Sequence, residues 1–152
     1  MSRLRHLSLC EVYPVSRDRF YNHFGRLTSL ECLDLWEEDY RALTPLCLPP
    51  SLRSLCINMG GTELEHPDHV PFSLPHSLTR LTLRKWDFSD KGDELMRRVA
   101  SLPSLGVLDL TGSCVRDLDF GPLTGSSSLT QLILRGCTHP QLPAGLRALA
   151  VF

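Results

Sequence analysis

The residues of this chain best suited to redox, metal or nucleophilic chemistry are six cysteines, Cys10, Cys32, Cys47, Cys56, Cys114 and Cys137, and six histidines. No two cysteines form a C-x-x-C pair, so neither a dithiol redox centre nor a zinc knuckle is encoded. His66 and His69, in HPDH, bring two imidazoles close together, but no second pair stands at ligand spacing. That stretch reads as a surface loop. The phosphate-cradling patterns G-x-G-x-x-G and G-x-x-x-x-G-K-[ST] are absent, and no serine sits in a nucleophile elbow. The sequence therefore assigns no catalytic residue, no cofactor and no metal, and a noncatalytic protein is expected.

Composition narrows the class further. The chain has 152 residues, 42% of them hydrophobic, which suits one domain with a sizeable core over residues 1–152. Its formal net charge of -1 lacks the basic excess of a general nucleic-acid binder. No apolar run approaches the roughly 18 residues of a membrane span. The opening MSRLRHLSLCEVYPV breaks its apolar residues with Arg, His and Glu too early for a secretory h-region, and no N-x-[ST] sequon occurs. Reduced thiols in the cytoplasm or nucleus are the corresponding expectation.

Side chains without reaction chemistry can still bind, so the elements that would position them matter. LTRLTL at Leu78 spaces its leucines by three and then by two, which neither a helix nor a strand produces alone. The same L-x-x-L-x-L pattern recurs at Leu4, Leu30, Leu52, Leu105, Leu129 and Leu146. Successive copies are 26, 22, 26, 27, 24 and 17 residues apart. One copy would be weak; seven at this period resemble the leucine-rich repeat family across essentially the whole chain.

The resemblance implies an α/β fold, a right-handed solenoid with a parallel concave sheet of about seven short strands and irregular or helical convex returns. In each copy the first leucine turns inward ahead of the strand and the next two are i, i+2 neighbours on its buried face. Three leucine columns then form a continuous core, each fully buried side chain contributing about 1.5–3 kcal/mol. A helix is expected in three of the six returns. The clearest is SDKGDELMRRVASL, with Leu95, Met96, Val99 and Leu102 inward and Ser89 or Asp90 capping. A second is expected around Arg17 to Phe24, whereas Met59 to His76 and Gly121 to Ser128 read as loops.

The family commonly carries Asn or Cys three residues after the last leucine, to satisfy backbone groups in the turn. Here that position holds Val12, Glu38, Gly60, Trp86, Ser113 and Cys137, and only Cys137 conforms. The starts LPPSL, LPHSL and LPAGL look similar to variants in some plant, algal, protist and bacterial-effector repeats. Neither end shows a polar cap, which implies a piece of a longer array or ends covered by another chain.

The intervening positions face the concave surface. Ahead of the second leucine they are His6, Cys32, Ser54, Arg80, Val107, Gln131 and Ala148. Between second and third come Ser8, Asp34, Cys56, Thr82, Asp109, Ile133 and Ala150, and after the third Cys10, Trp36, Asn58, Arg84, Thr111, Arg135 and Phe152. Strand 2 is acidic and aromatic, with Glu31, Asp34, Trp36 and Glu37, while strand 4 is basic, with Arg80, Arg84 and Lys85. Trp and Arg are enriched at binding hot spots. The candidate partner-binding residues are thus Asp34, Trp36, Asn58, Arg80, Thr82, Arg84 and Arg135, facing a protein or peptide ligand. What the resemblance implies is a protein-interaction module; substrate recognition in an F-box-type ubiquitin ligase, a structural spacer and a GTPase-activating-like regulator are the alternatives.

Overall fold

The computed structural model describes residues 3–10, 23–37, 46–60, 73–88, 92–138 and 140–152. Seven strands form one parallel sheet in chain order: β1 His6–Cys10, β2 Cys32–Glu37, β3 Ser54–Met59, β4 Arg80–Arg84, β5 Val107–Asp109, β6 Gln131–Ile133 and β7 Ala150–Val151. A parallel sheet in sequential order is the expected α/β leucine-rich-repeat solenoid.

The leucine columns are its core. Leu30, Leu52, Leu78, Leu105, Leu129 and Leu146 lie buried ahead of the strands. Leu33, Leu55, Leu81, Leu108 and Leu132, then Leu35, Ile57, Leu83, Leu110 and Leu134, line the inner side of the sheet. The convex returns close over them with Phe24, Leu46, Val115, Leu118, Phe120 and Leu123, and with Trp86 stacked on Phe88, ring centroids 5.9 Å apart.

One α-helix occurs among the described residues, α1 Gly92–Ala100, with Leu95, Met96 and Val99 buried and Leu102 buried just beyond it. Asp93 and Glu94 in its first turn and Arg97 and Arg98 in its last complement the helix dipole. The proposed cap residues Ser89 and Asp90 lie outside the described residues, as do residues 17–22 of the second expected helix and residues 61–72 of the expected loop. Gly121–Gly125, expected as loop, instead winds into a short 3-10 helix with Pro122 in its first turn; Phe24–Arg26 and Ala144–Leu146 do likewise. A single tight turn suffices to insert one apolar residue, Phe24, Leu123 or Leu146, into the core and return to the sheet.

Polar groups at both strand ends hold successive repeats in register. Ahead of the strands, Ser51 Oγ donates to the Leu30 carbonyl at 2.8 Å, and Ser77 Oγ lies 2.6 Å from that of Leu52 and 2.7 Å from that of Pro50. Beyond the strands, Lys85, Gly112 and Gly136 turn the chain with φ of 58, 72 and 66°. The next residue in each copy reaches back one repeat: Trp86 Nε1 to the Ile57 carbonyl at 3.4 Å, Ser113 Oγ to that of Leu83 at 3.1 Å, and Cys137 Sγ to that of Leu110 at 2.9 Å. An indole, a hydroxyl and a thiol thus perform the donor role that residue type alone allotted only to Cys137.

Candidate functional site

The register places the concave columns as the repeat arithmetic predicts through six strands. Cys10, Trp36, Asn58 and Arg84 form one row across β1 to β4, and Ser8, Asp34, Cys56, Thr82, Asp109 and Ile133 form the row beneath it. The seventh repeat differs. Leu132 faces Ala150 and Ile133 faces Val151, one residue later than the spacing of Leu146 predicts, so Ala148, Ala150 and Phe152 do not continue the three columns. Its return is the shortest, and the Ala144–Leu146 turn with Leu149 N–H bonded to the Leu146 carbonyl delays the strand. A one-residue slip exchanges the faces of a strand.

Within the two rows, Trp36 is 42% exposed and stands between Cys10 and Asn58. The Asn58 side-chain oxygen Oδ1 is buried without a hydrogen-bond partner among the described residues, flanked by Trp36 and Arg84 in the register. Arg84 reaches away from acidic β2 and pairs with Asp109 of β5, Nη2 to Oδ2, at 3.0 Å. Asp109 Oδ1 accepts from the Thr111 amide at 2.9 Å and its hydroxyl at 2.6 Å. Burial opposes ionisation of Asp109, but the two Thr111 bonds and the Arg84 guanidinium outweigh it and hold the carboxyl below its ordinary range. The cation that composition assigned to a partner therefore already has an internal anion. Its side chain remains 46% exposed.

The other candidates separate by environment. Asp34 is exposed and accepts a long 3.5 Å bond from Ser8 Oγ. Arg80 and Arg135 are exposed, the latter beyond the end of β6. Thr82, expected at the surface, is only 5% exposed, as it sits between Cys56 and the buried Asp109 beside the Arg84 bridge. A short side chain on the inner curve is covered by longer neighbours. Glu31 lies ahead of β2, where its carboxylate pairs with Arg5 at 3.5 Å; the side chain of Glu37 falls outside the described residues. A shallow recess of ≈ 430 Å³ extends the patch toward β1, between His6, Ser8, Cys32, Asp34, Ser54 and Cys56.

Cysteine chemistry is weak here. No disulfide joins any of the six cysteines. Cys32 faces Ser54 and Cys56 faces Asp34, so the two thiols on adjacent strands are diagonal neighbours. Burial, reinforced by the Asp34 carboxylate, pushes the Cys56 thiol up to about 12. Such a thiol is protonated and unreactive at neutral pH. Among the described residues no group of three or more His, Cys, Asp or Glu could hold a metal ion, and no helix is long and apolar enough to cross a membrane. The HPDH stretch, residues 66–69, lies outside the described residues.

No protein-family model matches the sequence, and no curated protein does. Among solved structures the chain is similar to an internalin from Listeria monocytogenes, a leucine-rich-repeat protein, with a TM-score of 0.55 at 17% sequence identity. The likeness is one of fold. The alignment covers 95% of this chain and 38% of the internalin, so the chain spans well under half of that protein's length.

Proposed function

We propose that the domain is a noncatalytic interaction module that binds a protein or peptide across the first four strands of its concave face. The observation that carries this reading is the Trp36, Asn58, Arg84 row on three adjacent strands, in which a half-exposed indole and guanidinium flank an acceptor with no partner. A buried acceptor left unmatched costs about 1–3 kcal/mol, and turning the Asn58 amide outward onto a ligand donor would recover it. Trp36 supplies apolar area, and Asp34 in the row beneath supplies an exposed anion. A cytoplasmic or nuclear setting, where thiols are kept reduced, is part of the same proposal.

Partner capture with the parent, Trp36→Ala, Asn58→Ala and Arg84→Gln tests the reading, with Asp117→Ala, exposed on the convex side, as control. Partners bound by parent and control should be lost from the three row variants at unchanged melting temperature for Trp36→Ala. Retention of every partner by all three would place binding elsewhere.

A further inference from the structure

A second recess, of ≈ 800 Å³, lies off the concave face along the edge where the strands begin. Three arginines line it, Arg3, Arg5 and Arg53, together with one carboxylate, Glu31, and the hydroxyls of Thr28 and Ser29. We propose that this recess binds a phosphate monoester dianion, carried by a phosphorylated serine or threonine or met as free phosphate. The site is separate from the concave row and does not rest on the reading of it.

Charge and placement both support that ligand. Arg5, Glu31 and Arg53 stand level in successive repeats, since the amides of Glu31 and Cys32 bond to the Arg5 carbonyl and those of Arg53 and Ser54 to the Glu31 carbonyl. At about 4.8 Å per strand, the backbones bearing Arg5 and Arg53 are roughly 10 Å apart, a span that two long side chains can close upon one anion. Glu31 neutralises Arg5, leaving two positive charges, on Arg3 and Arg53, neither with a salt bridge among the described residues. A phosphate monoester carries about -1.5 to -2 at neutral pH, and guanidinium forks bind its oxygens in bidentate fashion. A lone carboxylate would answer only one of the two.

The floor is fixed as well. Ser51 and Ser77 of the same recess direct their hydroxyl protons into backbone carbonyls, Leu30 for the former and Leu52 or Pro50 for the latter. Thr28 and Ser29 remain as the hydroxyl donors. Three arginines gathered in a chain whose formal net charge is -1 do not reflect general basicity.

The test is an NMR titration of the uniformly ¹⁵N-labelled full chain with a short phosphoserine peptide, its unphosphorylated counterpart and inorganic phosphate. Shifts should centre on the amides of Arg5, Thr28 to Glu31 and Arg53, with the phosphopeptide binding at least about tenfold tighter than its counterpart. Binding should weaken with added salt, and again on acidification through the second phosphate pKa near 6. Arg53→Ala should weaken it about tenfold, whereas Arg80→Ala, on the concave face, should not. If inorganic phosphate matches the phosphopeptide, the free anion is the ligand; if the phosphopeptide is markedly tighter, a phosphorylated segment is. Absence of shifts at these amides up to about 10 mM ligand, or unchanged binding in Arg53→Ala, overturns the proposal.

Discussion

Replacing Ser113 by alanine removes one oxygen that makes two buried contacts. Ser113 is 1% exposed; its hydroxyl donates to the Leu83 carbonyl at 3.1 Å and accepts from the Trp86 amide at 3.0 Å, so it clamps the exit of β4 to the next repeat. Alanine fits the space but leaves a carbonyl and an N–H with no access to water. At about 1–3 kcal/mol for each buried group left unpaired, and allowing some relaxation, the loss should be about 2–4 kcal/mol. In a chain of this size that corresponds to a fall in melting temperature of about 5–15 °C. Urea unfolding followed by circular dichroism should show a lower midpoint at unchanged slope, since the surface exposed on unfolding is the same. Ser113→Cys provides the internal comparison, because Cys137 already makes the equivalent bond with a thiol; it should retain more than half of the lost stability. A loss below about 0.5 kcal/mol in Ser113→Ala would show that the clamp is not a structural element and that the repeats are held by leucine packing alone.

Three further outcomes follow from single residues. Lys85 adopts φ 58° where the next two repeats use Gly112 and Gly136, so Lys85→Gly should raise stability by about 0.5–1 kcal/mol in the same urea experiment, and destabilisation would contradict the strain argument. Asp109 is held below its ordinary value of 3.8, so its ionised form adds stability that is complete above that value and disappears as pH falls through the lower folded pKa; Asp109→Asn should cost about 1–2 kcal/mol at pH 7, with the gap from the parent closing in acid, as read by melts across pH. With its pKa near 12, Cys56 should have about one thiolate in ten thousand molecules at pH 8 and resist N-ethylmaleimide, while exposed Cys10 and Cys47 react first by mass spectrometry.

The core was legible because leucine period and strand geometry state the same thing twice. Leu78, Leu81 and Leu83 fall into buried columns as the three-then-two spacing requires, and the concave rows follow from alternation alone through β6. Distances between repeats were less informative than the turns at their ends, which is why the shortest return enters β7 one residue late. Side-chain fate on the concave face escaped the sequence. Alternation places Thr82 and Arg84 on that face, but cannot reveal that Asp109 draws Arg84 sideways or that Thr82 is covered. The serines ahead of the strands were visible in LPPSL and LPHSL, yet their purpose emerges only when the carbonyls of the preceding repeat arrive within 3 Å. Trp86 and Ser113 were likewise set apart from Cys137 by residue type, although the bond they make is the same in direction and position.

That substitution of indole, hydroxyl and thiol at one recurrent position gives each junction a different physical signature. Opening the third repeat from the fourth would wet the 2% exposed Trp86 and shift its fluorescence to the red, against a steady background from half-exposed Trp36. Opening the fifth from the sixth would free the Cys137 thiol, now raised in pKa by burial, for alkylation. The solenoid thus carries its own position-specific probes, one optical and one chemical. Comparing the two signals along a single denaturation would reveal whether this stack frays from one side or dissolves all at once.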